Sequence, residues 1–535
     1  MIYIERLHIE NYKCFEKLDI QFQQNTNIIV GNNEAGKSTI LEAVNLCLSG
    51  LIHNRYLRNE LHEYFFNTTA IKAYQADVNA PLPSILIEVY LGSVDEDKNK
   101  NLEVLKGSRN TRKKNCPGVK LKICFDERYN DEYNLYLQAH QHTALPVEYY
   151  KIEWQSFAGG DITARSIPLK PNMIDASTAK YKNGGEYYLS KIIGNQLDKK
   201  EQIDLLQAIR ELKDKFKREQ ALQVVNTKIA QCHKISDKAV TVSVNTTEIN
   251  TWESILSTYI DEIPFEQIGQ GEQSIIKTQL ALSTIQADMA NVLLIEEPEN
   301  HLSHVNLNQL LKTIEENNSK YQIIVTTHSS FVANKLGLQS LLFVHGGKVS
   351  SFGGIDEDTQ KYFKKLAGYD TLRLILSDRA ILVEGPSDEL IVQKAYQQKN
   401  NGRLPIQDGI DVIAVKGVQA RRFLDMAKGL PIRIAVMTDN DGDYEHNIRE
   451  KYKGYLSKTV QVFSNSNDIE NTLEPSFVAC NDAEDLKTFL GYTGKKPIQE
   501  YMADNKADWA LQVFEADREF HYPAYIEDCI NWIKQ

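Results

Sequence analysis

The chain has 535 residues, of which 42% are hydrophobic and 25% are charged, so we expect two to four globular domains and no global disorder. Its formal net charge of −11 at pH 7 excludes a uniformly basic nucleic-acid binder, and any DNA contact must come from local clusters of Lys and Arg. No apolar run reaches membrane-spanning length, no secretory-signal pattern is present, and the seven cysteines include no CxxC pair. We therefore expect a cytoplasmic protein with reduced thiols and no membrane partner.

A strand, a glycine-rich loop and a helix are predicted near the N-terminus. Residues 2–9 alternate apolar and polar side chains, residues 27–30 form a short apolar run, and residues 37–48 carry apolar side chains at helical spacing. The last two segments are joined by a P-loop, Gly31-Asn32-Asn33-Glu34-Ala35-Gly36-Lys37-Ser38.

The residue types of this P-loop suit ATP with a bound Mg²⁺. The glycines let backbone N–H groups approach the phosphates, Lys37 places a positive charge on the outer phosphates, and the Ser38 hydroxyl is a Mg²⁺ ligand. The candidate ATP-binding residues of the loop are Gly31, Asn32, Asn33, Gly36, Lys37, Ser38 and Thr39.

Strand-like runs follow at residues 85–91, 119–125 and 149–154, and a charged segment with helical periodicity covers about residues 188–240. We interpret this segment as a helical insertion that divides the first domain. A dimerisation arm is its functional interpretation, and a peripheral helical subdomain is the alternative.

Two further buried strands are predicted at residues 292–295 and 323–325, and each ends in polar residues. The first ends in Glu296, a candidate Mg²⁺ ligand acting mostly through water, and Glu297, a candidate for orienting the attacking water. The second delivers His328 to the same edge of the sheet. A lone histidine is more often structural, but the paired glutamates favour a functional role here.

Acidic residues follow the predicted strands at residues 381–383 and 434–437, with a third strand at 412–415 between them. Carboxylates gathered at the carboxyl edge of a parallel sheet repel one another unless divalent cations neutralise them, and hard oxygen ligands suit Mg²⁺ or Mn²⁺. The candidate residues from these strand ends are Glu384, Asp388, Asp439 and Asp441.

Two local clusters of basic residues are candidates for DNA contact. The first cluster comprises Lys106, Arg109, Arg112, Lys113 and Lys114, and the second comprises Lys416, Arg421, Arg422 and Lys428. A solvated loop is the alternative interpretation of the first, and a solvated helix face that of the second. We favour DNA contact more for the second cluster, because it adjoins the acidic residues.

The N-terminal motifs resemble the ABC-type ATPase heads of the RecF, SMC and OLD (overcoming lysogenization defect) proteins. The resemblance rests on the P-loop, the paired glutamates, the opening Ile9-Glu10-Asn11-Tyr12-Lys13-Cys14-Phe15 and a signature-like loop, Ile268-Gly269-Gln270-Gly271-Glu272-Gln273. In that family the signature loop, here around Gly271, contacts the ATP held by a second head, which implies a homodimer or a higher even oligomer. Gly269 replaces the usual serine, which puts fast hydrolysis in doubt but not nucleotide binding.

The C-terminal order of strands and acidic residues resembles the Toprim domain of topoisomerases, primases and OLD nucleases. Residues 468–471 and 505–510 look like the later acidic and lysine motifs of OLD nucleases, which assigns Glu470 to metal binding and Lys506 to charge stabilisation at the cleaved phosphate. The resemblance implies two Mg²⁺ or Mn²⁺ ions and DNA cleavage. It also implies antiviral defence, as in Gabija-type and retron-associated effectors, with a companion helicase or reverse transcriptase.

We therefore predict an α/β protein with an ABC-type, RecF/SMC-like ATPase head, a helical insertion and a Rossmann-like Toprim nuclease domain. The predicted boundaries are 1–187 and 251–372 for the two parts of the ATPase domain, 188–250 for the insertion and 373–535 for the Toprim domain. The alternative is a non-catalytic SMC- or RecF-like clamp or sensor gated by ATP. A clamp has no need for the acidic cluster, so the presence of this cluster discriminates the nuclease from the clamp.

Overall fold

The computed structural model describes residues 1–52, 55–76, 81–94, 100–139, 145–175, 199–232, 258–269, 271–273, 275–276, 290–300, 302–317, 320–351, 357–365, 368, 370–415, 420–428, 430 and 432–535. Two compact units are present. The first comprises Met1–Ile29, Asn33–Thr327 and Val344–Val349, and the second comprises Val30–Asn32, His328–Phe343 and Ser350–Gln535. The boundary predicted between residues 372 and 373 stays a prediction.

The N-terminal part of the chain is rich in strands. They are β1 (Ile2–Tyr12), β2 (Phe15–Gln21), β3 (Thr26–Gly31), β4 (Leu51–Ile52), β5 (Arg55–Tyr56), β6 (Ile85–Ser93), β7 (Lys106–Gly107), β8 (Cys116–Phe125), β9 (Tyr150–Ser156), β10 (Leu169–Asp175), β11 (Tyr259–Ile260), β12 (Ile263–Pro264), β13 (Ala290–Glu296) and β14 (Gln322–Thr326). Its helices are α1 (Lys37–Ser49), α2 (Leu57–Glu60), α3 (Thr68–Ala76), α4 (Lys100–Glu103), α5 (Asn130–Ala139), α6 (Lys199–Arg218), α7 (Gln220–Cys232) and α8 (His304–Asn317).

Two large sheets dominate the described part of the first unit. Strands β2, β1, β6, β8 and β7 are neighbours in that order in an antiparallel sheet, and β9 also pairs with β8. Strands β10, β13, β14 and β3 lie side by side in a parallel sheet. Because these strands are covered on both faces, they read as continuous apolar runs in the sequence. Helix α1 contacts strands of both sheets.

A buried glutamine joins the two sheets. The Gln322 side chain at the start of β14 is fully buried, accepts a hydrogen bond from the Ile4 N–H at 2.7 Å and donates to the Ile4 carbonyl at 2.8 Å. It also donates to the Gln23 carbonyl at 2.8 Å. A buried amide with all these partners satisfied holds the strand that leads to His328 in one register.

The C-terminal part alternates strands and helices. Its strands are β15 (Leu341–His345), β16 (Lys348–Ser351), β17 (Arg379–Val383), β18 (Ile410–Ala414), β19 (Arg433–Met437) and β20 (Val460–Phe463). Its helices are α9 (Ser330–Leu336), α10 (Glu357–Lys365), α11 (Thr371–Ile375), α12 (Pro386–Lys399), α13 (Ala420–Ala427), α14 (Leu473–Cys480), α15 (Ala483–Phe489), α16 (Ile498–Asp504), α17 (Lys506–Glu515) and α18 (Ala524–Lys534).

A four-stranded parallel sheet in the order β18, β17, β19, β20 is the centre of this second unit. Helix α12 packs on α17 and α18, and their apolar side chains form one core around Phe477 and Trp509, which are 0% and 1% exposed. Because all four strands are parallel, the loops after β17, β19 and β20 leave the same edge of the sheet. That edge therefore carries the acidic residues.

The strands and helices predicted around both sets of motifs are confirmed. The predicted insertion contains the two amphipathic helices α6 and α7, which contact each other, while residues 188–198 and 233–250 lie outside the described residues. Among the described residues, no helix is both long and apolar enough to span a membrane. The six described cysteine side chains are free thiols.

Candidate functional site

The P-loop joins β3 to α1 in a backbone shape that requires glycine. Gly36 has a φ of +94°, and a Cβ there would lie 2.4 Å from Phe15 Cζ and 2.6 Å from Cys14 Sγ. Helix α1 begins at the next residue, Lys37, so its N-terminal N–H groups and its positive dipole end face the loop. The loop is therefore built to hold an anion, and Ser38 on its first turn is exposed.

Three carboxylates act electrostatically on the Lys37 ammonium, whose residue is only 6% exposed. Burial lowers the pKa of Lys37, and the negative charges of Glu297, Glu299 and Glu296 oppose that effect. Glu296 is the last residue of β13 and pairs in register with Thr326 of β14. The parallel sheet thus brings the predicted acidic pair to the lysine of the P-loop, about 260 positions earlier in the chain.

Glu297 is held by several contacts. Its backbone lies in the left-handed region with a φ of 43°, its N–H donates to the Thr326 carbonyl at 2.9 Å, and Asn300 Nδ2 donates to its carboxylate at 2.7 Å. Left-handed backbone at a residue other than glycine costs about 1–3 kcal/mol and is concentrated at functional sites. His328 follows β14 after one intervening residue, Thr327, and is exposed.

The signature-like loop is described except for Gln270. Gln273 Nε2 donates to the carbonyls of Phe265 and Ile268 at 3.0 and 3.1 Å, which fixes the turn that carries Gly269 and Gly271. Among the described residues, nothing lies within 4 Å of a Cβ built at Gly269.

Glu384 and Asp388 frame the turn from β17 into α12. The Glu384 carboxylate accepts hydrogen bonds from the Thr438 hydroxyl and from the Asp439 N–H, the latter at 3.0 Å. Asp388 Oδ2 accepts from the Gly385 N–H at 3.0 Å, which caps α12. Both predicted acids of this turn therefore lie at the sheet edge, and Glu384 is tied directly to the loop after β19.

Asp439 is the most strongly perturbed acid of the cluster. Burial, followed by the negative charges of Glu384, Asp388 and Glu474, raises the pKa of Asp439 to about 8, while Lys506 acts in the opposite direction. Burial and the charge of Glu384 likewise raise the pKa of Asp388 to about 7. Strongly shifted carboxyl groups in one place mark a candidate site for cations or catalysis.

Glu474 was not predicted from the sequence, and it belongs to this cluster. It lies in the first turn of α14, is 2% exposed, accepts a hydrogen bond from the Thr472 hydroxyl at 3.0 Å and raises the pKa values of Asp388 and Asp439. The predicted Glu470 instead accepts hydrogen bonds from the side-chain amides of Asn465 and Asn467, at 2.9 and 3.0 Å. An acid just before Pro475 at a helix start was the available signal for Glu474, but that pattern is common.

Asn440, the middle residue of the Asp439–Asp441 motif, fixes the loop. It is 1% exposed, its Nδ2 donates to the carbonyls of Asn465 and Asn467 at 2.8 and 3.1 Å, and its Oδ1 accepts from the Gly442 N–H at 2.8 Å. Asp441 is exposed with a φ of 51°. The buried amide thus holds the two aspartates on either side of it in their positions.

Lys506 and Tyr525 complete the surroundings of Asp439. Lys506 is the exposed first residue of α17, close enough to Asp439 to counteract the rise in its pKa. Burial raises the pKa of Tyr525 on α18, and the charges of Asp439 and Asp388 add to the shift. The structure therefore brings one ammonium and one phenol to the acidic cluster.

The donor set fits a divalent cation. The carboxyl groups of Glu384, Asp388, Asp439 and Glu474 act on one another electrostatically, and bound cations would remove the repulsion that raises their pKa values. Within the described part of the chain, no three His, Cys, Asp or Glu side chains are already gathered closely enough to hold an ion. Binding would therefore draw the carboxylates together.

The pKa of Asp439 predicts how stability changes with pH. Because its folded pKa of about 8 exceeds the ordinary value of ~3.9, its contribution to stability is complete below pH ~4 and is lost as the pH rises to about 8. In EDTA the melting temperature should fall as the pH rises from 5 to 8.5. Asp439→Asn removes the titrating group and should make this fall smaller, by about 2–4 °C for each ~1 kcal/mol of pH-dependent stability that the aspartate contributes. Asp508→Asn, an exposed acid on α17, is the control, and an equal fall in parent and Asp439→Asn would contradict the prediction.

Two family profiles match the chain. The AAA ATPase domain matches residues 2–333, and the overcoming lysogenization defect protein-like TOPRIM domain matches residues 375–441. The retron Ec83 probable ATPase of Escherichia coli is 24% identical over 395 residues, which cover 64% of this chain and 71% of that protein. The DNA replication and repair protein RecF of Acetivibrio thermocellus is 42% identical over 60 residues, covering 11% of this chain and only 16% of RecF.

Solved structures of similar proteins include RecF with ATP and an OLD fragment. RecF–ATP is 13% identical with a TM-score of 0.35 and covers 65% of this chain and 99% of that chain. The C-terminal region of the Xanthomonas campestris pv. campestris OLD protein is 22% identical with a TM-score of 0.23 and covers 30% of this chain and 95% of that chain.

The family profiles and the two parallel sheets confirm the predicted fold class, an ATPase head followed by a Rossmann-like TOPRIM domain. The predicted resemblance to the OLD proteins is confirmed as well. The chain belongs to the AAA ATPase domain family and, like the OLD proteins, carries a TOPRIM domain after the ATPase.

Proposed function

We propose that this chain is an ATP-binding DNA endonuclease of the OLD family that requires Mg²⁺ or Mn²⁺ and whose ATPase domain gates the TOPRIM cleavage site. One observation carries the proposal: Asp439 lies among Glu384, Asp388, Glu474 and the counteracting Lys506. A clamp or sensor would gain nothing from clustered acids that repel one another, so the acidic cluster favours the nuclease over the clamp.

The ATP site is proposed to work through Lys37, Glu296 and Glu297. Lys37 and the N–H groups at the start of α1 bind the outer phosphates, and Ser38 and Glu296 hold the associated Mg²⁺. Glu297, fixed by Asn300 and the Thr326 carbonyl, orients the attacking water, and His328 is the proposed partner at the end of the neighbouring strand.

The TOPRIM site is proposed to hold divalent cations through Glu384, Asp388, Asp439, Asp441 and an acid of the segment after β20. Cations bound there supply an activated water and neutralise charge at the scissile phosphate. Lys506, at the N-terminus of α17, meets the negative charge that develops in the transition state. Asn440 and the hydrogen bonds from the 438–439 segment to Glu384 hold the two acidic loops next to each other, and cation binding would draw their carboxylates together.

Plasmid cleavage tests the proposal directly. Supercoiled plasmid incubated with the purified chain should be nicked or linearised in Mg²⁺ or Mn²⁺ and should remain intact in EDTA, and adding ATP should change the rate. An absence of cleavage in every metal and nucleotide condition, with ATP binding intact, would support the clamp instead.

Glu474 and Glu470 form a matched pair of acids for testing the metal site. Glu474→Gln should reduce cleavage by about 10- to 100-fold, because one carboxylate of the acidic cluster is lost, whereas Glu470→Gln should have a much smaller effect. Initial nicking rates in Mn²⁺ give the comparison. The opposite order of effects would return the metal-binding role to Glu470.

Gly269→Ser should raise the rate of ATP hydrolysis. The described residues leave space for the side chain, and the added hydroxyl would reach the γ-phosphate in a paired head, where a hydrogen bond to a charged group is worth ~1.5–3 kcal/mol, or about 10- to 150-fold in rate. Phosphate release is the measurement, and Gly269→Ala, which adds Cβ without a hydroxyl, is the control. Equal rates in the parent, Ser and Ala variants would contradict a role for this loop in hydrolysis.

The assembly and biological role are also proposals. Helix α6 exposes Leu212 and Phe216, at 63% and 53%, which supports pairing of subunits through the insertion into a homodimer or a higher even oligomer. A strictly monomeric mass by light scattering, with and without ATP, would contradict this. The similarity to a retron ATPase supports a cytoplasmic role in anti-phage defence with a companion helicase or reverse transcriptase.

A further inference from the structure

The segment between β7 and β8, residues 108–115, presents four cations to solvent. We call it the basic loop, and its exposed cations are Arg109, Arg112, Lys113 and Lys114. Within the described part of the chain, none of the four lies within 4 Å of a carboxylate, whereas Lys106 at the base of the loop pairs with Glu103 at 3.0 Å. In a chain with a net charge of −11, this is a local excess of positive charge.

A buried carboxylate anchors one side of the basic loop. Glu88 on β6 is 1% exposed, and its two oxygens accept hydrogen bonds from the Thr111 N–H at 3.0 and 3.1 Å. The Thr111 hydroxyl and the Tyr90 hydroxyl, the latter at 2.7 Å, donate to the same carboxylate. Burying a carboxylate is unfavourable unless its hydrogen bonds are satisfied, and here the loop satisfies them.

A buried amide anchors the other side. Asn110 is 8% exposed, its Nδ2 donates to the carbonyls of Gly107 and Lys114 at 3.2 and 2.7 Å, and its Oδ1 accepts from the Lys114 N–H at 3.2 Å. These bonds close the turn internally. The three consecutive cations at positions 112–114 are therefore held on a fixed backbone.

Close packing on a neighbouring turn restricts the loop further. A Cβ at Gly107 would lie 2.1 Å from the Phe157 carbonyl oxygen, and one at Gly159 would lie 2.2 Å from Arg109 Nη1. The Arg109 guanidinium thus rests against the backbone of Gly159, and the Arg109 N–H donates to the Phe157 carbonyl at 3.0 Å. The backbone at Arg109, the first cation of the loop, is therefore anchored too.

A merely solvated loop needs no such anchoring, because charged side chains are hydrated in any loop conformation. Unpaired cations on an anchored backbone lower the ordering cost of binding a polyanion, and a run of phosphates is the polyanion that such contacts position. We propose that the basic loop binds the phosphate backbone of double-stranded DNA, as a contact on the ATPase domain that is distinct from the cleavage site. The choice of DNA rests on the function proposed above.

Duplex binding measured in EDTA tests the basic loop without cleavage. The full chain and the triple variant Arg112→Ala/Lys113→Ala/Lys114→Ala are titrated onto a fluorescent 30-base-pair duplex between 50 and 200 mM KCl. The triple variant should bind at least about tenfold more weakly, and the slope of log K against log salt should fall by about 2–3, since each lost phosphate contact removes ~0.9. Retained ATP binding shows that the variant folds.

The control triple Lys72→Ala/Arg165→Ala/Lys320→Ala removes three exposed cations from the same unit and should keep the affinity and slope of the parent. Asn110→Ala retains all four cations of the loop and should weaken binding with an unchanged slope. The inference is overturned if the triple variant of the basic loop binds the duplex as tightly as the parent does. It is also overturned if poly-L-glutamate displaces the duplex as well as unlabelled DNA does, because that result would indicate an acidic protein as the ligand.

The inference and the proposed nuclease function fail in different ways. If the parent cuts plasmid and the triple variant of the basic loop binds and cuts DNA as well as the parent does, only the proposed role of the loop is overturned. A loop-dependent salt slope in a chain that never cuts overturns only the nuclease. A parent that binds no duplex and cuts none overturns both.

Discussion

Asp439→Ala is expected to abolish plasmid cleavage in both Mg²⁺ and Mn²⁺ while leaving ATP binding unchanged. Asp439 lies within the electrostatic influence of three other carboxylates, so its removal deprives the cations of a central ligand and the transition state of its compensating charge. We expect a loss of about 10³-fold or more in the nicking rate, equivalent to ~4 kcal/mol. Initial rates on supercoiled plasmid, with ATP affinity determined in parallel, provide the measurement.

Two variants on α17 sharpen this experiment. Lys506→Ala should weaken cutting without abolishing metal binding, because the lysine is proposed to meet developing negative charge. Asp508→Ala, an exposed acid two positions along the same helix, should cut like the parent. If Asp439→Ala cuts as well as the parent across both metals, the TOPRIM site is wrongly assigned and the clamp becomes the better proposal.

Lys37→Ala is expected to remove ATP binding without unfolding the chain. Lys37 is only 6% exposed and supplies the positive side chain at the first residue of α1. Truncating one partner of a buried charge pair costs about 2–5 kcal/mol, so ATP should bind at least about 30-fold more weakly. Titration with a fluorescent ATP analogue gives the affinity, and the melting temperature reports the fold.

Glu297→Gln is the matched control at the same site, since it keeps the size of the side chain and should bind ATP but hydrolyse it more slowly. Unchanged ATP affinity in Lys37→Ala would contradict the P-loop assignment. Cleavage by Lys37→Ala then reports the direction of gating: loss of cutting indicates that ATP activates the nuclease, and retained or faster cutting indicates that it restrains the nuclease.

Much of the fold followed from local sequence patterns. The P-loop is confined to eight consecutive residues, and its strand and helix are adjacent to it, so its position in the fold follows from spacing alone. The positions of the acids after β17 and β19, at residues 379–384 and 433–441, likewise follow from spacing, because each acid comes directly after its strand. Apolar runs of this length are recognisable because both faces of a parallel sheet are buried.

The members of the acidic cluster could be only partly predicted. Glu470 and Glu474 are four positions apart in a segment with several acids, and nothing in the local pattern shows which of them faces Asp439. The structure settles their surroundings: Glu470 is engaged by Asn465 and Asn467, and Glu474 is buried beside the other acids. Burial depends on how α14 packs on the sheet, which is a property of the whole domain.

The sequence by itself determined the order of the domains, the P-loop, the paired glutamates and the acids that follow the parallel strands, because each depends on neighbours within a few positions. Only the tertiary structure decided that Asn440 fixes the acidic loop and that hydrogen bonds from Glu88 and Asn110 anchor the backbone of the basic loop. The Glu88 carboxylate and the Thr111 N–H that it accepts from are 23 positions apart, on different strands and loops. Hydrogen bonds between such distant residues form only after the chain has folded, and they leave no periodicity in the sequence.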